Sequence, residues 1–122
     1  MKSLTLFYIL NAILLILHEI ESGYEKEWEI LKLPGKITGF LLLHVPILFV
    51  LFYGLLEIDR MSNIGFIIGT ITGLGGVIPF LIHKKIVKRE ENFNLLISNI
   101  IIYTNILSGI TTFLYSFYFL IA

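Results

Sequence analysis

The chain has 122 residues, 57% of them hydrophobic, and a mean hydropathy of +0.90, too apolar for a soluble domain whose small volume must be wrapped in polar surface. Nine Lys plus Arg balance nine Asp plus Glu, so the net charge points neither to nucleic acid nor to an acidic substrate. Cysteine is absent, which excludes disulfides, thiolate metal sites and cysteine nucleophiles.

Lipid is the solvent that accepts this composition, and the expected fold is all-α: a four-helix transmembrane bundle making one integral membrane domain over residues 1–122. The first apolar stretch runs from about Ser3 to Ile20. Lys2 followed by the run Leu4 to Leu17 has the look of a secretory signal, but His18, Glu19 and Glu21 follow with no A-x-A-like pair of small residues, so the segment is expected to stay as a helix. Beyond it, Ile20, Tyr24, Trp28 and Leu31 recur at helical spacing beside a polar stripe of Glu21, Glu25, Glu29 and Lys32. Either the first helix continues out of the membrane to about Leu31, with Tyr24 and Trp28 at headgroup level, or this stretch is a separate interfacial helix. Leu33-Pro34-Gly35 then stops it.

The second span is expected over Ile37 to Leu56, the third over Asn63 to Ile82 and the fourth from residue 93 to about 120. Each is close to or above the ~20 residues that cross a ~30 Å hydrocarbon layer. Pro46 and Pro79 should kink the second and third spans, which a bundle tolerates by satisfying the freed carbonyls elsewhere. In the third span Gly65, Gly69 and Gly73 fall four residues apart and Gly76 continues the face. That spacing lets two helix backbones approach closely, either inside the bundle or against a partner helix or a second copy of the chain. The segment from Lys84 to Glu91 is expected to be a solvated loop with a charged face.

Lys26, Lys32, Lys36, Lys84, Lys85, Lys88 and Arg89 lie in the first and third loops, and only Lys2 and Arg60 on the other side. Seven against two places those loops in the cytoplasm and both termini outside.

Polar side chains at membrane depth carry the functional signal, because each costs free energy unless it meets a partner or water. His18 and His83 fall at the cytoplasmic ends of the first and third spans, and His44 lies roughly 10 Å inside the second at ~1.5 Å per residue. Asn11 precedes His18 by seven residues on the same face, and Asn99 lies roughly 9 Å inside the fourth span. His18 and Glu21 are three residues apart, which sets imidazole and carboxylate on one helical surface, and Glu25 adds a further carboxylate. Imidazole and carboxylate at this spacing, completed by histidines from other helices, suit a divalent metal ion such as zinc, iron or manganese. They equally suit a proton relay. The metal set expected is His18, Glu21, His44 and His83, with Asn11, Glu25 and Asn99 in support and His18 and His44 sharing one site. Structural alternatives stand beside this: His18–Glu21 as a cap of the bundle, His83 as an interfacial residue, and Asn99 and Asn105 as bridges between helices.

No Gly-rich phosphate loop, H-E-x-x-H zincin motif or G-x-S-x-G elbow occurs, and the second zincin histidine position after His18-Glu19 is Ser22. The segment His18-Glu19-Ile20-Glu21-Ser22 resembles the HXXEE family of small bacterial membrane proteins, whose activity is not established. The resemblance implies a role for His18 and Glu21, while Ser22 stands where the family's second glutamate would be. It implies no substrate.

Overall fold

The computed structural model describes the backbone of residues 1–87 and 95–122, and side chains through Lys84 and from Leu95 onward. Among the described residues the chain is all helical, and four helices are long and apolar enough to cross a membrane: Ser3–Tyr24, Lys36–Asp59, Asn63–Lys84 and Leu96–Ile121. The expected start of the fourth span at residue 93 and residues 88–91 of the expected charged loop lie outside the described residues, while residues 84–87 of that loop are π-helical instead.

Helix α1 (Ser3–Tyr24) runs one turn beyond the apolar stretch but does not reach Leu31. The Lys26 backbone turns left-handed at φ 52° and breaks the helix, and a single turn, α2 (Glu27–Ile30), follows. Tyr24 remains exposed, whereas Trp28 turns inward with its ring 5.6 Å from that of Phe40. After Gly35, at φ 91°, helix α3 (Lys36–Asp59) passes through Pro46 without interruption. A tight turn with Met61 at φ 55° leads into α4 (Asn63–Gly75). Ser62 caps α4 by accepting from the Gly65 N–H at 3.0 Å and donates its own hydroxyl to the Glu57 carboxylate at 2.7 Å, the standard way to satisfy an orphan first-turn donor.

The third span is not one regular helix. α4 stops at Gly75, the three-residue α5 (Ile78–Phe80) carries Pro79, and residues Leu81–Val87 form a π-helical segment. Proline removes a backbone donor, and the ladder recovers through wider turns. Helix α6 (Leu96–Ile121) closes the bundle.

α6 packs along both α4 and α1, while α3 lies against α4 and α1 at the outside of this trio. The glycine face of α4 is consumed in that packing. A Cβ on Gly73 would sit 2.5 Å from the Phe113 nitrogen, and one on Gly76 2.8 Å from the Asn105 carbonyl. Gly65 and Gly69 are likewise buried, against the Glu57–Ile58 backbone and Ser116. Close backbone approach of this kind is the main source of helix association in lipid. The face is therefore covered by the chain's own helices.

The two ends of the bundle differ in chemistry. Near the termini, Leu4, Tyr8, Leu51, Ile58 and Phe66 form an apolar core. Lys2 Nζ reaches the Asp59 carbonyl at 2.5 Å, a cation on the last carbonyls of a helix. At the opposite end the buried polar side chains among the described residues are His18, Ser22, Glu27, His83 and Ser98.

Candidate functional site

His18 sits in the penultimate turn of α1 at 2% exposure, and His83 in the π-helical segment at 5%. Their ring centroids are 5.0 Å apart with the planes tilted by 59°. Ser22, one turn after His18, places its hydroxyl 3.3 Å from His18 Nε2. Glu27, the first residue of α2, is 7% exposed, and its Oε1 lies 3.3 Å from His83 Nε2. One ligand atom from each of His18, Glu27 and His83 falls within 4.8 Å of the others.

The left-handed turn at Lys26 makes this possible. On an uninterrupted helix Glu27 would follow His18 by nine residues, roughly half a turn off its face. The break swings α2 beneath the end of α1 and returns the carboxylate to the imidazoles. Burial pushes the Glu27 carboxyl up, yet hydrogen bonds from His83 and Ser22, together with the charge of both imidazoles, outweigh it and hold the group below the usual carboxylate range.

The other residues singled out from the sequence are placed elsewhere. Glu21 accepts a hydrogen bond from Ser98, and its second oxygen is buried with no hydrogen-bond partner among the described residues. Glu25 is not part of the three-residue cluster. His44 joins Glu19 rather than His18, with Nε2 2.5 Å from Glu19 Oε2 and Nδ1 2.6 Å from the Phe40 carbonyl. Asn99 accepts from Lys84 Nζ at 2.5 Å. Asn11 lies deeper, donating to the Thr72 carbonyl at 2.9 Å and accepting from Ser108 at 3.2 Å. Neither asparagine links His18 to His44. The structure thus brings together His18 and His83 from the expected set, adds Glu27, and leaves His44 and Glu21 in separate contacts.

Sequence reasoning missed Glu27 because it lies off the polar stripe of Glu21, Glu25, Glu29 and Lys32, and neither a continued first helix nor a separate interfacial helix brings it to the histidines by spacing alone. It also missed a second signal, the seven-residue repeat of small and polar residues. Ser98, Ile102, Asn105, Gly109, Thr112 and Ser116 on α6 alternate by four and three residues, and all are buried. The same alternation on α1 runs through Tyr8, Asn11, Leu15, His18 and Ser22, all buried except the half-buried Leu15. A polar residue in such a register faces neighbouring helices rather than lipid.

Two imidazoles and one carboxylate, drawn from three separate segments, are the donor types that suit zinc, iron or manganese, and three such ligands would leave coordination positions open. Ligand atoms on one tetrahedral metal stand about 3.3 Å apart at ~2.0–2.1 Å bonds, and those of the cluster lie within 4.8 Å of one another.

Four long apolar helices around an interior of small and polar side chains define a multi-pass helical membrane protein. The chain belongs to the family of unknown function DUF6713, whose model matches residues 4–119. That match lends nothing to the HXXEE resemblance. No curated protein and no solved structure gives a significant match.

Proposed function

We propose that this is an integral membrane protein that binds a divalent transition metal through His18, His83 and Glu27 at the cytoplasmic end of its bundle. The observation that carries the reading is the convergence of three buried ligand residues, each from a different segment, on one point. Burial matters because exposed acidic and histidine side chains gather readily without binding anything, whereas three such groups out of water need an ion, a proton or one another. The Lys/Arg asymmetry of the loops supports the cytoplasmic side. A reporter fused after Lys32 and read as external would reverse that assignment.

Detergent-purified protein should take up one equivalent of Co(II) with the ligand-field absorption of a low-coordinate nitrogen and oxygen site. His83→Ala and Glu27→Gln should each lower the affinity at least tenfold, since a ligand is lost in each. His44→Ala should leave it unchanged. Equal Co(II) affinity in His83→Ala and the unaltered protein would end the metal reading.

A further inference from the structure

Away from the histidine cluster, α1, α3 and α4 separate around a cavity of about 510 Å³ walled by Leu15, Ile16, Pro46, Leu51 and Ile71. Its rim residues Ile47, Val50, Ile71 and Ile78 are exposed, so the cavity opens sideways onto the surface that faces lipid. Glu19 is the one charged side chain in its wall. It lies one turn nearer the end of α1 than Leu15 and Ile16, so the groove is polar toward the membrane edge and apolar toward the centre. An amphiphile in a leaflet has the same polarity.

The state of Glu19 follows from its partner. His44 Nδ1 lies 2.6 Å from the Phe40 carbonyl, which can only accept, so Nδ1 carries a hydrogen. The contact of 2.5 Å between His44 Nε2 and Glu19 Oε2 then needs one proton between two acceptors. The pair therefore holds a single proton there and is neutral as a unit. Oε2 is engaged, and Oε1 remains able to accept. The side chains of His44 and Glu19 are 12% and 32% exposed, so the carboxylate is the more accessible of the two.

We infer that this groove binds an uncharged single-chain amphiphile, a long hydrocarbon tail ending in a hydroxyl that donates to Glu19. The tail is assigned because an apolar opening in a bilayer loses dispersion contacts unless hydrocarbon fills it. The neutral donor is assigned by charge. An anionic head would be repelled by the carboxylate, and any ionic head would add an unpaired charge to a neutral pair at membrane depth. A hydroxyl satisfies the free oxygen and keeps the site neutral. The inference does not rest on the metal site.

The test uses the full-length protein in lipid nanodiscs and, as the probe, a long-chain alcohol bearing a diazirine near the tail end. After photolysis, label should concentrate on peptides covering residues 46–51 and 71–78 and be displaced by unlabelled hexadecanol. Ile47→Trp and Ile71→Trp, each narrowing the mouth at an exposed position, should cut labelling by about tenfold. Glu19→Leu, which removes the acceptor, should weaken it by about fivefold, the loss of one hydrogen bond in a neutral site. Chelation of metal should leave labelling intact, which separates this result from the metal reading. Label spread evenly over lipid-facing positions such as Phe49 and Tyr118 would overturn the proposal, as would equal displacement by palmitate or by phosphatidylcholine.

Discussion

Helices α3 and α6 reverse the rule that governs soluble proteins. α3 is the most apolar of the four spans and α6 the least, yet 17% of the α3 apolar window is buried against 33% of that of α6. Leu42, Val45 and Phe49 of α3 look outward, while Ser98, Asn105, Thr112 and Ser116 of α6 are fully enclosed. In water a leucine face seeks the core; in lipid it has nothing to gain there, because the solvent is as apolar as the side chain. The interior is then won by residues that let backbones close up or that need a hydrogen-bond partner. Hydropathy locates these helices but ranks their burial backwards.

The sharpest way to break this comparison is to put bulk where α4 meets α6. Gly73→Leu should cost about 3 kcal/mol or more, because the added side chain meets the α6 backbone rather than a movable side chain. Leu42→Ala on α3 should change stability by less than about 0.5 kcal/mol, as surface changes do. Unfolding both variants by SDS titration from detergent micelles measures the contrast, and equal losses would return α3 to the interior.

Next in size is the buried amide of α1. Asn11→Leu removes the side-chain bonds to the Thr72 carbonyl and from the Ser108 hydroxyl. Each of these keeps a backbone partner at 3.2 Å, the Gly76 N–H and the Asn105 carbonyl respectively, so the loss should cost about 0.5–1.5 kcal/mol in the same titration. Asn105 gives the opposite case. It is 0% exposed, with neither side-chain polar atom paired among the described residues, so Asn105→Leu, close in size, should be neutral or stabilise by up to ~1 kcal/mol. If Asn105→Leu proves as costly as Asn11→Leu, Asn105 has a bound partner that the helices alone do not provide.

The smallest effect concerns pH at the polar end. Because Glu27 is held below its ordinary range when folded, its contribution to stability is complete above the unfolded carboxylate value and disappears as pH falls through the folded one. Metal-free protein should lose thermal stability over that acidic window, and Glu27→Gln should flatten the curve there. An unchanged slope in the variant would assign the acid sensitivity to other carboxylates.

Much of the architecture was legible because lipid imposes a length rule, and four apolar runs separated by charges satisfy it. The polar end could be read from His18 and His83, since imidazoles at the edge of apolar spans demand partners. The carboxylate of the cluster could not. Glu27 depends on the left-handed conformation of Lys26, and a lysine followed by Glu-Trp-Glu gives no sign of a break, unlike the Pro34-Gly35 pair that ends the loop. His44 was recognised as needing a partner, but Glu19 and Glu21 are two residues apart on α1 and face different neighbours. Only the packing of α3 against α1 decides which of them it meets.

The π-helical segment also bears on how the protein is made. His18 enters the membrane with the first span, but His83 arrives only when the third has been synthesised, and Ser98, the partner of Glu21, only with the fourth. Until then the nascent chain displays imidazole and carboxylate groups with only part of their final contacts, such as Ser22 beside His18. A chain that stalls after two spans is thereby marked, by its own unmet polar groups, as different from the finished one, and a quality-control protease that senses polar side chains in lipid could tell them apart.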